Sequence, residues 1–97
     1  MKFEWDAAKA AANRRKHGVS FEEARTALDS QLAITNDDVV HSADENRERT
    51  FGLSNRNRVL VVITTRRAQT VRIISARRAT SIEVDAYEKE IQKRFGG

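Results

Sequence analysis

The segment Arg58–Arg78, RVLVVITTRRAQTVRIISARR, decides the fold. Its first half contains the uninterrupted apolar run Val59–Ile63, which is typical of a central strand covered on both faces. Residues 66–69 form a polar turn, and residues 70–78 are again β-prone. Because this turn is too short for a parallel crossover, the two strands are predicted to pair in antiparallel fashion.

Two further strands extend this hairpin in the direction of the N-terminus. Residues 49–53 alternate polar and apolar side chains and precede the turn sequence Ser54–Asn57, so a third strand joins the antiparallel meander. Residues 31–35 are a plausible additional strand, followed by a polar, acidic loop over residues 36–46. Lys2–Trp5 alternates as well and predicts a short strand at an edge of the sheet.

Three helices are indicated by their capping residues. Asp6 is a helix N-cap ahead of the alanine-rich residues 7–16, and Gly18 is suited to end that helix in a left-handed conformation. Ser20–Glu23 and Thr80–Glu83 are both capping boxes, in which the serine or threonine and the glutamate satisfy each other's backbone amides. The last helix carries an apolar stripe at helical spacing, formed by Val84, Tyr87, Ile91 and Phe95. The expected fold class is α+β: one domain over residues 1–97, with an antiparallel meander, two N-terminal helices and a C-terminal helix.

Composition excludes several kinds of protein. The chain has 97 residues and no cysteine, which excludes disulfides, thiolate metal sites and a cysteine nucleophile. It has neither an apolar run long enough to cross a bilayer nor an export leader, so we expect a cytoplasmic protein without membrane contact. The acidic loop matches no metal-binding pattern, and we expect no metal and no cofactor.

The positive charge is unevenly distributed along the sequence. Residues 54–80 contain seven arginines and no acidic residue, whereas the rest of the chain has a net charge of −3. Arginine offers paired donors that match phosphate oxygens, and a concentrated positive field attracts polyanions. These observations predict a nucleic-acid partner, although any single arginine is equally well explained as a solvated charge on the sheet.

The end of the last strand is the most specific candidate site. Strict alternation predicts that Arg77 shares a face with Val71 and Ile73, whereas Arg78 shares the other face with Ala76. One of the two arginines is then expected over the sheet face that lacks helices and the other beside the start of the final helix. Free amides at that helix N-terminus would add to an oxyanion or phosphate site.

Candidates for proton transfer are fewer. His17 and His41 are the only side chains that normally titrate near neutral pH, although His17 is also explained as a helix-ending cation and His41 as a surface residue. Tyr87 could transfer a proton, but its place on the apolar stripe favours packing with its hydroxyl at the rim of the core.

Several strings of this sequence resemble the BrnT toxin family. The clearest are KHGVSFEEA at residues 16–24 and RIISARRAT at residues 72–80, and the order and spacing of the matching pieces hold from residue 3 to about residue 90. The resemblance implies a RelE-like ribonuclease fold and the toxin role of a type II toxin–antitoxin pair. It further implies a bacterial protein that inhibits translation by RNA cleavage and is neutralised by a BrnA-like antitoxin with a ribbon-helix-helix domain. Operator DNA would then be contacted only through the antitoxin.

The expected site combines this resemblance with the residues above. Arg77 and Arg78 are expected to stabilise charge on the phosphate and Arg49 to support them, with His17, His41 or Tyr87 transferring protons. The remaining basic residues are expected to hold RNA, either free or on the ribosome: Lys16, Arg56, Arg58, Arg66, Arg67 and Arg72. The alternatives are a module that binds nucleic acid without cleaving it, and an interaction protein whose arginines receive an acidic partner.

Overall fold

The computed structural model describes residues 2–38 and 46–96, which form three helices and five strands. In chain order these elements are β1 (Lys2–Glu4), α1 (Ala7–His17), α2 (Phe21–Leu28), β2 (Ile34–Asp37), β3 (Arg47–Leu53), β4 (Val59–Arg67), β5 (Thr70–Arg78) and α3 (Ser81–Phe95). The α+β class and the order of the elements are as predicted. The strand expected over residues 31–35 begins and ends slightly later. No helix in the described ranges is both long and apolar enough to span a bilayer.

The sheet is mixed rather than purely antiparallel. Its strand order is β1-β5-β4-β3-β2, and β2 to β5 form the predicted antiparallel meander with β4 at the centre. The edge strand β1 instead pairs with β5 in parallel, Phe3 lying opposite Val71. The sequence predicted a short edge strand here but not its direction. Most of the chain separates β1 from β5, so no tight turn dictates their relative direction.

Helices α1 and α2 cover one face of the sheet and form the main core with it. Phe21 and Ala24 of α2 are fully buried against Leu60 and Val62 of β4. Gly52 of β3 allows this close packing, because a Cβ atom at that position would collide with the backbone carbonyl of Ala27. The α2 helix therefore lies directly on the sheet backbone.

Helix α3 lies against the opposite face of the sheet, which we call the α3 face. Tyr87 is buried there, and its hydroxyl donates a hydrogen bond of 2.9 Å to the carbonyl of Leu32. The predicted apolar stripe is only partly buried, since the Phe95 side chain at its end is 62% exposed. Helix α3 is thus anchored at Tyr87 and at its N-terminal turn rather than along its whole length.

A β-bulge in β5 changes which face its arginines occupy. Ile63 pairs with Ser75 and Thr64 pairs with Ile73, so Ile74 has no partner in the register. As a result Val71, Ile73 and Ala76 are the buried positions of β5. The strict alternation predicted for this strand is therefore wrong. Arg77 lies on the α3 face together with Arg72 and not on the face of Val71 and Ile73.

Candidate nucleic-acid interface

The basic residues form two groups at opposite ends of the central strands. Arg56, Arg58, Arg77 and Arg78 lie where β4 begins and β5 ends, and Lys16 and His17 at the end of α1 lie at the same end of the molecule. Arg66, Arg67 and Arg72 lie near the β4–β5 turn. Eight residues of extended strand separate the two ends of β4, roughly 26 Å at the usual rise of a strand. The sequence suggested that the positive charge is concentrated on one part of the fold. The structure instead divides it between the two ends of the central strands.

Arg77 is held in a fixed position at the end of β5. Its Nη1 and Nη2 atoms donate hydrogen bonds of 2.7 and 2.9 Å to the two carboxylate oxygens of Glu83, in the first turn of α3. These bonds from Arg77, with a further one from the backbone amide of Thr80, lower the pKa of Glu83 to about 2. The Arg77 side chain remains 40% exposed, so Arg77 is an oriented cation that solvent can still reach.

The start of α3 offers fewer free amides than its sequence suggested. The capping box is complete: the Thr80 hydroxyl accepts from the amide of Glu83, and the Glu83 carboxylate accepts from the amide of Thr80. Both amides therefore already have partners. Any anion at this end must be bound chiefly by side chains.

Arg78 points away from Arg77, as expected for neighbours in a strand. It pairs with Leu60 in the register and so belongs to the face that α1 and α2 cover, but it is exposed because the strand ends there. Its guanidinium has no hydrogen-bond or ion-pair partner in the described part of the chain. Arg78 is therefore a free cation at the same strand end as Arg77.

Arg58 forms an ion pair with the buried carboxylate of Glu23. Its Nε and Nη2 atoms donate to the Glu23 carboxylate at 2.8 and 2.6 Å, and Nη2 also donates to the carbonyl of Gly18 at 3.0 Å. The Glu23 side chain is 4% exposed, and its second neighbour is the Ser54 hydroxyl at 2.7 Å. Hydrogen bonding by Arg58 lowers the pKa of Glu23.

This ion pair corrects the capping box predicted at Ser20. The Ser20 hydroxyl does accept from the amide of Glu23, at 3.0 Å, as expected. The Glu23 carboxylate, however, binds Arg58 and Ser54 instead of reaching back to the cap. A buried carboxylate gains more from a guanidinium than from a single amide, because the guanidinium supplies both charge and paired donors.

Arg49 lies on the α3 face in the middle of the sheet, away from both groups. Its guanidinium carbon lies 5.5 Å from the ring centroid of Phe51, in the geometry of a cation–π contact. Its Nε atom is buried and has no hydrogen-bond partner in the described ranges. The hydroxyl of Thr65 on β4 is likewise buried and without a partner there.

The proton-transfer candidates are not gathered at one place in the described part of the chain. His17 is half-buried in the last turn of α1, next to Gly18, whose carbonyl binds Arg58. The Tyr87 hydroxyl is bonded to Leu32, and burial raises the pKa of this side chain. His41 lies outside the described residues. Within residues 2–38 and 46–96, no group of histidine and carboxylate side chains could hold a metal ion.

Three polar residues at these places carry no signal in the sequence that identifies their partners. Glu23 and Glu83 each occupy the third position of a capping box, and that pattern does not reveal which arginine each one binds. Thr65 is one of several β-branched residues of β4. Its position becomes distinctive only in the sheet, where Thr65 lies two residues beyond Ile63, the partner of Arg49, and so shares the face of Arg49.

Comparison with known proteins gives a matching family and a similar solved structure. The family model described as the ribonuclease toxin BrnT of a type II toxin–antitoxin system matches residues 5–83. The crystal structure of the Brucella abortus ribonuclease toxin BrnT is similar over 84% of this chain and 99% of that one, with a TM-score of 0.65 and 27% sequence identity. A search of curated proteins finds no match.

Proposed function

The chain belongs to the BrnT family of ribonuclease toxins of type II toxin–antitoxin systems, and from this membership we propose that it cleaves RNA without a metal ion. A base removes the proton of a ribose 2′-hydroxyl, and the resulting oxygen attacks the adjacent phosphate. The bond from phosphorus to the 5′-oxygen of the next nucleotide breaks, and an acid protonates that oxygen. The products are a 2′,3′-cyclic phosphate and a 5′-hydroxyl. RNA is required because DNA lacks the attacking hydroxyl.

The observation that best supports this proposal is the fixed orientation of Arg77. The attack places additional negative charge on the phosphoryl oxygens, and donors that are already oriented stabilise such charge most effectively. Glu83 holds the Arg77 guanidinium through two hydrogen bonds, while 40% of the arginine side chain stays accessible. Arg77 can therefore meet a phosphate with little loss of side-chain freedom.

The other site residues are assigned by their positions. Arg78 is the free cation at the same strand end and would share the charge of the phosphate with Arg77, while Arg49 supports the RNA from the middle of the α3 face. His17 is the single histidine in the described part of the chain, it lies at this end of the molecule, and it is our preferred proton-transfer residue. Tyr87 would first have to give up its bond to Leu32, and His41 remains a second candidate.

Arg77 and Arg78 also suggest how the toxin is controlled. As a type II toxin, the chain has an antitoxin partner. We propose a BrnA-like antitoxin with a ribbon-helix-helix domain that covers the arginines at the end of β5. In the toxin–antitoxin complex, the antitoxin alone would contact operator DNA. The cellular substrate we propose is mRNA, whose cleavage stops translation.

The test is incubation of the purified chain with total RNA in the presence of EDTA, followed by analysis of the fragment ends. We expect fragments that end in 2′,3′-cyclic phosphate from the wild-type chain and almost none from Arg77→Ala. Lys89→Ala is the matched control, because it removes one positive charge from an exposed position of α3. A parallel sample with translating ribosomes, kept in magnesium buffer because EDTA dissociates ribosomes, covers an enzyme that acts only on ribosome-bound mRNA.

Two results would contradict the proposal. Intact RNA in both samples would leave a module that binds RNA or antitoxin without cleaving. Cleavage that EDTA abolishes and added magnesium restores would establish a metal-dependent reaction instead.

A further inference from the structure

The α3 face contains two buried polar atoms without partners in the described part of the chain. They are the Nε atom of Arg49 on β3 and the hydroxyl oxygen of Thr65 on β4, and Thr65 as a whole is only 2% exposed. A buried polar group without a hydrogen bond destabilises the fold, and nearly all such groups have a partner. Two of them on the same face therefore call for a common explanation.

The register of the sheet brings these two residues together. In the pairing of β3 with β4, Arg49 lies opposite Ile63 and Arg47 lies opposite Thr65. Arg49 and Thr65 are therefore diagonal cross-strand neighbours on the same face of the sheet. Diagonal neighbours on one face of a sheet are within reach of long side chains. Thr65 also pairs with Arg72 of β5, whose ion pair with Glu4 is long, at 3.4 Å, and partly exposed to solvent.

The missing partner has to be an acceptor, and the surrounding charge favours an anion. Arg49 can only donate, and it forms no ion pair within the described ranges; the nearby Glu90, which lines the same groove as Phe51, is paired with Arg94. The Thr65 hydroxyl can donate to the same acceptor. A phosphate oxygen fits both requirements, since it is charged and accepts several hydrogen bonds at once.

The groove beside Arg49 suggests that this phosphate belongs to a nucleotide rather than to a free ion. The ring of Phe51 lies under the Arg49 guanidinium and also lines a groove of about 260 Å³ between α3 and the sheet. Ile34, Ala86 and Tyr87 give this groove apolar walls, and its polar groups come from Asn36 and from the ion pair of Glu90 with Arg94. Apolar walls with a few fixed polar groups are typical of sites for planar organic ligands.

We propose that Arg49 and Thr65 bind one backbone phosphate of RNA, with the attached base in the groove beside Phe51. The proposal rests on the function proposed above and adds a subsite on the α3 face that is separate from Arg77 and Arg78. This subsite would position the strand, and it predicts a base preference at one nucleotide near the cut.

The test is binding of a fluorescent all-deoxy oligonucleotide, which lacks the attacking hydroxyl and is not consumed, measured by anisotropy at low salt. The decisive variant is Thr65→Val, which removes one hydroxyl and keeps the side-chain shape. Thr64→Val is its matched control, because Thr64 is equally buried but lies on the face of α1 and α2. We expect about tenfold weaker binding for Thr65→Val, the effect of one hydrogen bond to a charged group, and unchanged binding for Thr64→Val.

Thermal unfolding separates a binding role from a structural one. A hydroxyl without a partner in the free protein stabilises nothing, so we expect Thr65→Val to unfold at the same temperature as the wild-type chain or higher. A Thr65→Val protein that is clearly less stable and binds the oligonucleotide normally would overturn the proposal. Equal effects of the two threonine variants on binding would overturn it as well, and so would a wild-type chain that binds no oligonucleotide.

Further measurements separate this proposal from a site for free phosphate, from a protein-binding surface and from the ribonuclease mechanism itself. Arg49→Gln should weaken binding of the oligonucleotide, whereas inorganic phosphate should displace it only at high concentration, because the groove recognises the nucleoside. If Thr65→Val weakens binding of the antitoxin but not of the oligonucleotide, the surface serves a protein partner and the proposal is wrong. Loss of binding in Thr65→Val together with a wild-type chain that cleaves no RNA would retain the subsite and reject the ribonuclease mechanism.

Discussion

Arg77 and Glu83 form two parallel hydrogen bonds, of 2.7 and 2.9 Å, that join the end of β5 to the first turn of α3. Because α3 is otherwise anchored mainly through Tyr87, this pair contributes to holding the helix on the sheet. The same contact orients the arginine that we assign to the phosphate. Stability and, under the proposed function, RNA cleavage would therefore depend on the same pair of side chains.

The first prediction concerns the pH dependence of this pair. The Arg77 guanidinium lowers the pKa of Glu83 to about 2, from 4.5. A carboxyl whose pKa is depressed in the folded state stabilises the protein above its unfolded pKa, and that contribution is lost as the pH falls from about 4.5 towards 2. We expect Glu83→Gln to lower the free energy of unfolding at pH 7 by about 1 to 2 kcal/mol, a range that allows for solvent screening of the exposed arginine.

The measurement is urea unfolding of both proteins at several pH values between 2 and 7. The difference between wild type and Glu83→Gln should shrink as the pH falls below 4.5 and become small near pH 2, where about half of the Glu83 carboxyl is protonated even in the folded protein. Glu88→Gln, at an exposed position of the same helix, is the control and should show no such trend. A difference that stays constant over the whole range would assign the effect to packing rather than to charge.

The second prediction concerns the buried pair of Arg58 and Glu23. Removing one partner leaves the other charge buried and uncompensated, which costs about 3 kcal/mol or more. We expect Arg58→Met to lower stability by about this amount, and the double variant Glu23→Gln/Arg58→Met to recover a large part of it. Urea unfolding midpoints of Glu23→Gln, Arg58→Met, the double variant and the wild type complete the cycle.

This cycle also decides how Arg58 contributes to RNA binding. The sequence alone placed it among the RNA-binding residues, but its Nε and Nη2 atoms already donate to Glu23 and Gly18. We expect the double variant to bind RNA nearly as well as the wild-type chain. A large loss of RNA affinity in a stably folded double variant would restore a direct role for Arg58.

The elements with the clearest local signals were predicted correctly, and the errors arise where distant parts of the chain meet. The helix ends follow from Asp6, Gly18 and Thr80, whose capping chemistry is local. The bulge at Ile74 was missed because a period of two was assumed throughout β5. Its signal is visible in hindsight: Ile73 and Ile74 are adjacent apolar residues, and strict alternation cannot bury both on one face.

The candidate site was predictable only in its residue types. The density of arginine pointed to phosphate, but which arginine is free depends on partners far away in sequence. Glu23 is 35 residues from Arg58 and neutralises it, whereas Arg49 and Thr65 become neighbours only when β3 and β4 pair. Such contacts belong to the tertiary structure and leave no local pattern.

The third prediction concerns the tight turn between β4 and β5. Ala68 adopts a positive φ of 52°, a conformation in which a Cβ atom is strained and glycine is not. We expect Ala68→Gly to raise the free energy of unfolding by about 0.5 to 1 kcal/mol, because relief of strain exceeds the added freedom of the unfolded chain. Gln69→Gly, the neighbouring exposed position without a positive φ, is the control and should be neutral or destabilising in the same thermal unfolding experiment.

The last prediction distinguishes the two arginines at the end of β5 by replacing each with lysine. Lysine keeps the positive charge but cannot form two parallel hydrogen bonds with a carboxylate, so a lysine at position 77 would lose the fixed orientation that Glu83 provides. Arg78 is exposed and has no partner to lose in the described part of the chain. If a fixed donor at position 77 stabilises the developing charge, Arg77→Lys should reduce the rate of RNA cleavage by roughly 100-fold, the lower end of the range for removing one oriented donor. Arg78→Lys should reduce the rate only a few-fold. Initial rates on a short fluorescent RNA, measured beside the thermal stability of each variant, make the comparison, and equal losses in the two variants would mean that charge alone and not orientation matters at this strand end.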